Sequence, residues 1–180
     1  MQSHQVRYKQ LIFTLLLVGA ATFIVHEFFH WLAGTLLGYP MRITPNQVGP
    51  LSTMLPVHHT VMTAAGPIAT YIQAAVGYAL VTQRSSMVGF AMVYMAFFMR
   101  LIAMGVSVFN PNDEARISLD LGLGLWTLPA LAVGTLFLLV YSSSRRMRIT
   151  LREQLICYVI ASVVVTVFVG ADFLWFGKNS

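Results

Sequence analysis

Residues 11–24 contain no charged side chain, and four further apolar runs of similar character follow along the chain. A helix needs about 20 apolar residues to cross the hydrocarbon of a bilayer. By that measure five spans are predicted, covering roughly residues 11–37, 60–82, 86–109, 121–141 and 154–176. Charged residues make up only 9% of the chain, against about 25% in soluble domains, and the mean hydropathy is +0.73. So few charges cannot cover the surface of a water-soluble fold. The expected fold class is an all-α polytopic membrane protein of about five transmembrane helices, with residues 1–180 forming a single membrane domain. The cell membrane is its expected location.

The net charge of +5 is small, and the basic residues cluster at helix ends. This is membrane-orientation charge rather than a surface for nucleic acid. With the N-terminus inside, Arg7, Lys9, Arg84, Arg145, Arg146, Arg148 and Arg152 fall on the inner side. Arg42, Arg116 and Lys178 fall outside, and Arg100 lies within a helix, accounting for all 11 Lys and Arg residues. The positive-inside rule then favours N-in and C-out. The first apolar run is too long for a signal peptide and lacks a small-residue cleavage site before the histidines, so a retained helix is expected. The lone Cys157 offers no disulfide framework and no cysteine metal site.

One long connection separates the first two spans, over residues 38–59. Pro40, Pro45, Pro50 and Pro56 exclude a helix there. Its apolar content reads either as a short hairpin or re-entrant segment packed against the bundle, or as an ordinary interfacial loop. Gln83, Arg84 and Ser85 make a very short turn, which predicts an antiparallel hairpin of the second and third spans.

Chemistry concentrates in His26-Glu27-Phe28-Phe29-His30. Two histidines four apart on a helix lie about 40° apart around its axis, so both imidazoles can reach one metal ion. Three ionisable residues within five positions of a membrane helix are costly and point to function rather than packing. A catalytic zinc site usually has three protein ligands and an open position. Of the six acidic residues, Asp113 and Glu114 end the third span, which runs parallel to the first and puts them in the histidines' leaflet. Asp113 is the expected third ligand, with Glu114 as the competitor. Glu153 is expected at the opposite face and Asp172 at a capping or interfacial position. Arg100 needs a partner such as Glu27 or a backbone carbonyl. His58 and His59 are expected at the interface, with an auxiliary role in water access or metal delivery as the sharper alternative. Gly66 and Pro67 either permit a close helix contact beside the metal or only kink the second span.

The histidine motif late in a first span, Ala65-Gly66-Pro67 in the next, and Asn110-Pro111-Asn112-Asp113 ending the third resemble the site-2 protease family of intramembrane zinc metalloproteases. The resemblance covers about residues 11–120, which would be that family's three-helix catalytic core, with residues 121–180 adding two helices. It implies one Zn²⁺ per chain held by His26, His30 and Asp113, Glu27 as general base, and Asn110 holding substrate backbone or oxyanion. It further implies a membrane-embedded or membrane-proximal protein substrate that pairs as a strand with the loop after the first helix. A regulatory membrane partner or a homo-oligomer is compatible with it. The family usually writes Asn-Pro-Asp-Gly or Leu-Asp-Gly, whereas this chain inserts Asn112 and carries Glu114 in place of glycine. Its members commonly face the active site to the cytosol, whereas the loop charges here point it outward. Two rivals from other classes are a non-catalytic zinc-binding scaffold or chaperone of the same fold, and a metal transporter.

Overall fold

Backbone polar groups in hydrocarbon have no water to bond, so the apolar runs must close their hydrogen bonds internally as helices. The computed structural model describes residues 2–175, with side chains described over residues 5–174. Among these, the chain forms α1 (Gln2–Leu36), β1 (Met41–Ile43), β2 (Val48–Pro50), α2 (Pro56–Arg84), α3 (Met87–Val106), α4 (Asp113–Asp120), α5 (Thr127–Arg146) and α6 (Leu151–Trp175). All but α4 of the six helices are long and apolar enough to cross a membrane. The protein is a polytopic helical membrane protein, as expected. Phe176 and Lys178, used above for the last span and the charge count, lie outside the described residues.

Helices α1, α2 and α3 pack on one another, α6 lies along α1, and α5 lies along α3. The central core joins Leu11 and Leu15 of α1, Phe90, Val93 and Met95 of α3, and Cys157 and Ala161 of α6. Large apolar side chains such as Leu131, Leu138, Leu155 and Phe173 remain exposed, which suits a surface solvated by lipid. The α2–α3 hairpin forms as expected. Ser85 turns the chain at φ 50°, and the Ser86 side chain accepts from the Gly89 N–H. A Cβ placed on Gly77 would lie 2.7 Å from the Gly89 carbonyl oxygen, so the two backbones meet where neither residue has a side chain.

α1 and α6 run parallel at a nearly fixed sequence offset. Arg7 pairs with Glu153 at 2.6 Å, a Cβ on Gly19 would sit 3.0 Å from Val164 Cγ1, and Phe23 stacks on Phe168 with ring centroids 4.7 Å apart. These pairs are 146, 145 and 145 positions apart (153−7, 164−19, 168−23). The Arg7–Glu153 pair puts Glu153 at the opposite end from the histidines, as expected.

The connection after α1 is a two-stranded antiparallel hairpin pairing Met41 with Pro50, Arg42 with Gly49, and Ile43 with Val48. Three boundaries need correction. Pro56 does not exclude a helix but starts α2, because the first helical position has no N–H to contribute. The run read as a span from residue 121 instead begins at Thr127, after turns at Gly122 (φ 70°) and Gly124 (φ 80°), and extends through the basic Arg145 and Arg146. Basic residues suit a helix C-terminus, where they meet the negative end of the dipole. Residues 113–120 form α4, a polar helix of 8 residues that is too short to cross a membrane. Asn112 caps it by accepting from the Ala115 N–H at 3.1 Å.

Candidate metal centre

His26 and His30 lie one turn apart on α1, with their rings edge-on and centroids 4.6 Å apart. Asp113 is the first residue of α4, which delivers its carboxylate to them. The His26 and His30 Nε2 atoms are 3.1 Å apart. Asp113 Oδ2 lies 3.1 Å from the first and 3.4 Å from the second. Donors about 2.0–2.1 Å from a tetrahedrally bound ion are separated by about 3.3 Å. The three atoms form a triangle of that size, and this group can hold a metal ion.

The hydrogen bonds behind the rings support the same chemistry. His30 Nδ1 donates to the Met62 carbonyl at 2.8 Å, since a carbonyl can only accept. Thr70 donates its hydroxyl to the Gly66 carbonyl, leaving its oxygen to accept from His26 Nδ1 at 3.1 Å. Both rings then carry their proton on Nδ1 and turn an Nε2 lone pair toward Asp113. Three lone pairs converge with no proton to share among them, which is a donor set for a cation.

Gly66 makes the arrangement sterically feasible. A Cβ there would come within 2.6 Å of His26 Cε1 and would collide with His30 Nε2. α2 therefore lies directly against the imidazoles, and of the two readings of Gly66-Pro67, the close contact is the one found.

The sequence pointed to Glu27 or a backbone carbonyl as the partner of Arg100; its partners are instead Glu114 and Asp113. Arg100 is buried on α3, with Nη1 at 3.1 Å from both Glu114 oxygens. The reason is α4, whose first turn carries both acids back to the Arg100 side chain. Asn112 Nδ2 also donates to Glu114, at 3.1 Å. Glu114 is thereby occupied and Asp113 is left for the histidines, with Arg100 Nη1 only 3.5 Å from Asp113 Oδ2.

Glu27 is buried, yet it lines the cavity of about 430 Å³ that opens onto the three donors. Among the described residues it makes no hydrogen bond or ion pair. Asn110 lies in the α3–α4 link on the wall of the same cavity, and Asn46, Gln47 and Val48 of the β-hairpin form another wall. His58 is not brought to the site; its Nδ1 is 3.0 Å from the Tyr39 hydroxyl. His59 lines a separate cavity with Asp120 and Thr60. The sequence reading missed Thr70 and the Met62 carbonyl. Thr70 lies four residues after Gly66 and so on the same face of α2, a signal the spacing carried.

Comparison with protein-family models, with curated proteins and with solved structures finds no match for this chain. The function must therefore be read from the site.

Proposed function

We propose that this protein is an intramembrane zinc metalloprotease of the site-2 protease type, hydrolysing peptide bonds of membrane-embedded or membrane-proximal substrates. The observation that carries the reading is the triangle of His26, His30 and Asp113 donors beside an unpaired Glu27 in one cavity. Two nitrogens and one oxygen with a position left open suit zinc. Zinc held there supplies Lewis-acid activation of water and of a carbonyl group.

The remaining roles belong to the chain. The Glu27 carboxylate, free of other partners, accepts a proton from the attacking water and returns it to the leaving amine. Asn110, on the cavity wall, is positioned to donate to a peptide carbonyl. A helical substrate must unwind before its carbonyls can be reached, and the hairpin wall at Asn46, Gln47 and Val48 offers backbone groups to an extended segment.

The rivals are less well supported. The scaffold reading drew on Glu114 standing where glycine is expected, and the bond to Arg100 gives Glu114 a structural role. A transporter calls for further ligands along a path, and among the described residues there is one such group. The decisive experiment is Glu27→Gln, assayed on a membrane-spanning reporter peptide in proteoliposomes. Loss of cleavage with zinc retained is expected; unchanged cleavage overturns the proposal.

A further inference from the structure

The parallel register of α1 and α6 has a consequence one turn beyond the Phe23–Phe168 stack. Adding four to each residue brings Glu27 and Asp172 to the same height on adjacent helices. Asp172 is 6% exposed. Its Oδ1 is out of contact with solvent and has no hydrogen-bond partner among the described residues. A carboxylate with one oxygen buried and unpartnered is unfavourable, and a cation entering the cavity that Asp172 lines would compensate it.

That environment is a second cavity, of about 560 Å³, between the β-hairpin and α6. Asp172 lines it together with the neutral polar residues Thr44, Asn46 and Gln47, and Arg42 lies on its exposed rim without an ion pair to Asp172. The cavity is continuous with the metal-site cavity in its lining, because Asn46, Gln47, Val48 and Val169 belong to both. An extended peptide passing the three donors along the hairpin would reach Asp172 within a short stretch of chain. Membrane segments are commonly flanked by Lys or Arg, whose long stems stay apolar while the head seeks a polar site.

We infer that Asp172 forms a specificity subsite that binds a lysine or arginine side chain of the substrate, next to the peptide bond presented to the metal centre. This rests on the proteolytic reading above. A metal ion is the less suitable occupant, because Asp172 belongs to no group of metal-ligating side chains among the described residues. The side-chain oxygens of Thr44, Asn46 and Gln47 can accept the remaining N–H groups of an ammonium or guanidinium head.

The test uses the full-length zinc-loaded protein in lipid nanodiscs, carrying Glu27→Gln to prevent turnover. The probes are three labelled apolar peptides that differ at one flanking position, which is Lys, Gln or Glu. Fluorescence anisotropy should show the Lys peptide binding about tenfold more tightly than the Gln peptide, as expected for a partly desolvated ion pair. That ratio should fall to near one in Asp172→Asn and invert between the Lys and Glu peptides in Asp172→Arg. An unchanged ratio in Asp172→Asn, or no preference for Lys at the start, overturns the subsite. A preference that emerges only after Arg42→Gln assigns Asp172 to Arg42 and overturns it equally. Cleavage of the same peptides by protein with Glu27 intact separates the two proposals. A charge preference in binding without cleavage removes the protease and keeps the subsite, whereas cleavage indifferent to the flanking charge does the reverse.

Discussion

Arg100 Nη1 lies 3.1 Å from both carboxylate oxygens of Glu114, and this bond decides which of two adjacent acids faces the histidines. Both partners are almost fully buried. Removing one member of such a pair leaves an uncompensated charge and costs roughly 3–5 kcal/mol, whereas replacing both with apolar groups is often close to neutral. Arg100→Met alone should therefore lower the thermal midpoint sharply. The double variant Arg100→Met/Glu114→Met should regain most of the loss. A thermal-unfolding double-mutant cycle in detergent checks this, and additive losses would contradict it.

The same bond predicts unequal effects of the two acids on metal content. Asp113→Asn removes a donor from the triangle and should abolish stoichiometric zinc, as should His26→Ala. Glu114→Gln leaves the donors in place but frees Arg100, whose Nη2 is already 3.4 Å from His26 Nε2. An unneutralised cation at that distance should weaken zinc binding about tenfold without removing it. Elemental analysis of the purified variants, with chelator competition, measures both effects.

Much of this was legible in the sequence because hydrocarbon leaves few choices. Uncharged runs had to be helices, and the two crossings made by α2 and α3 return the chain to the side of His30, which places Asp113 in the same leaflet. The β-hairpin was one of two readings left open by prolines that forbid a long helix. What escaped has a common cause. α4 is a short polar helix, invisible to an apolar-run criterion, although Asn112 followed by Asp113 and Glu114 is a helix-start signal. Without α4, the partner of Arg100 could not be seen. Likewise, hydropathy ended the fourth apolar run at Tyr141, while the helix continues through residues that need only backbone hydrogen bonds.

Thr70 orients His26 without touching the metal position. Its hydroxyl oxygen accepts from His26 Nδ1 at 3.1 Å, and Thr70 is itself buried. Thr70→Val preserves the shape of the side chain but leaves the Nδ1 proton without a partner. Loss of such a supporting bond typically costs 10–100-fold in metal affinity, and a zinc-chelator competition assay should find a loss in that range. The fold itself should persist, with the helical circular dichroism unchanged.

Gly66 and Gly134 provide a paired test of how tightly α2 lies on the site. Both are within helices, where alanine is intrinsically favoured over glycine by up to about 1 kcal/mol. Around Gly134 nothing lies within 4 Å of an added Cβ, so Gly134→Ala should be neutral or slightly stabilising. At Gly66 the added carbon would meet His26 Cε1 at 2.6 Å and also His30 Nε2, a metal-facing atom. The rings are held from behind by Thr70 and the Met62 carbonyl and cannot simply turn away. Gly66→Ala should therefore push α2 off the imidazoles, with loss of zinc and a lowered thermal midpoint. Zinc content and midpoint measured on the two alanine variants side by side check this, and normal zinc in Gly66→Ala would mean that the α1–α2 contact is looser than the distances state.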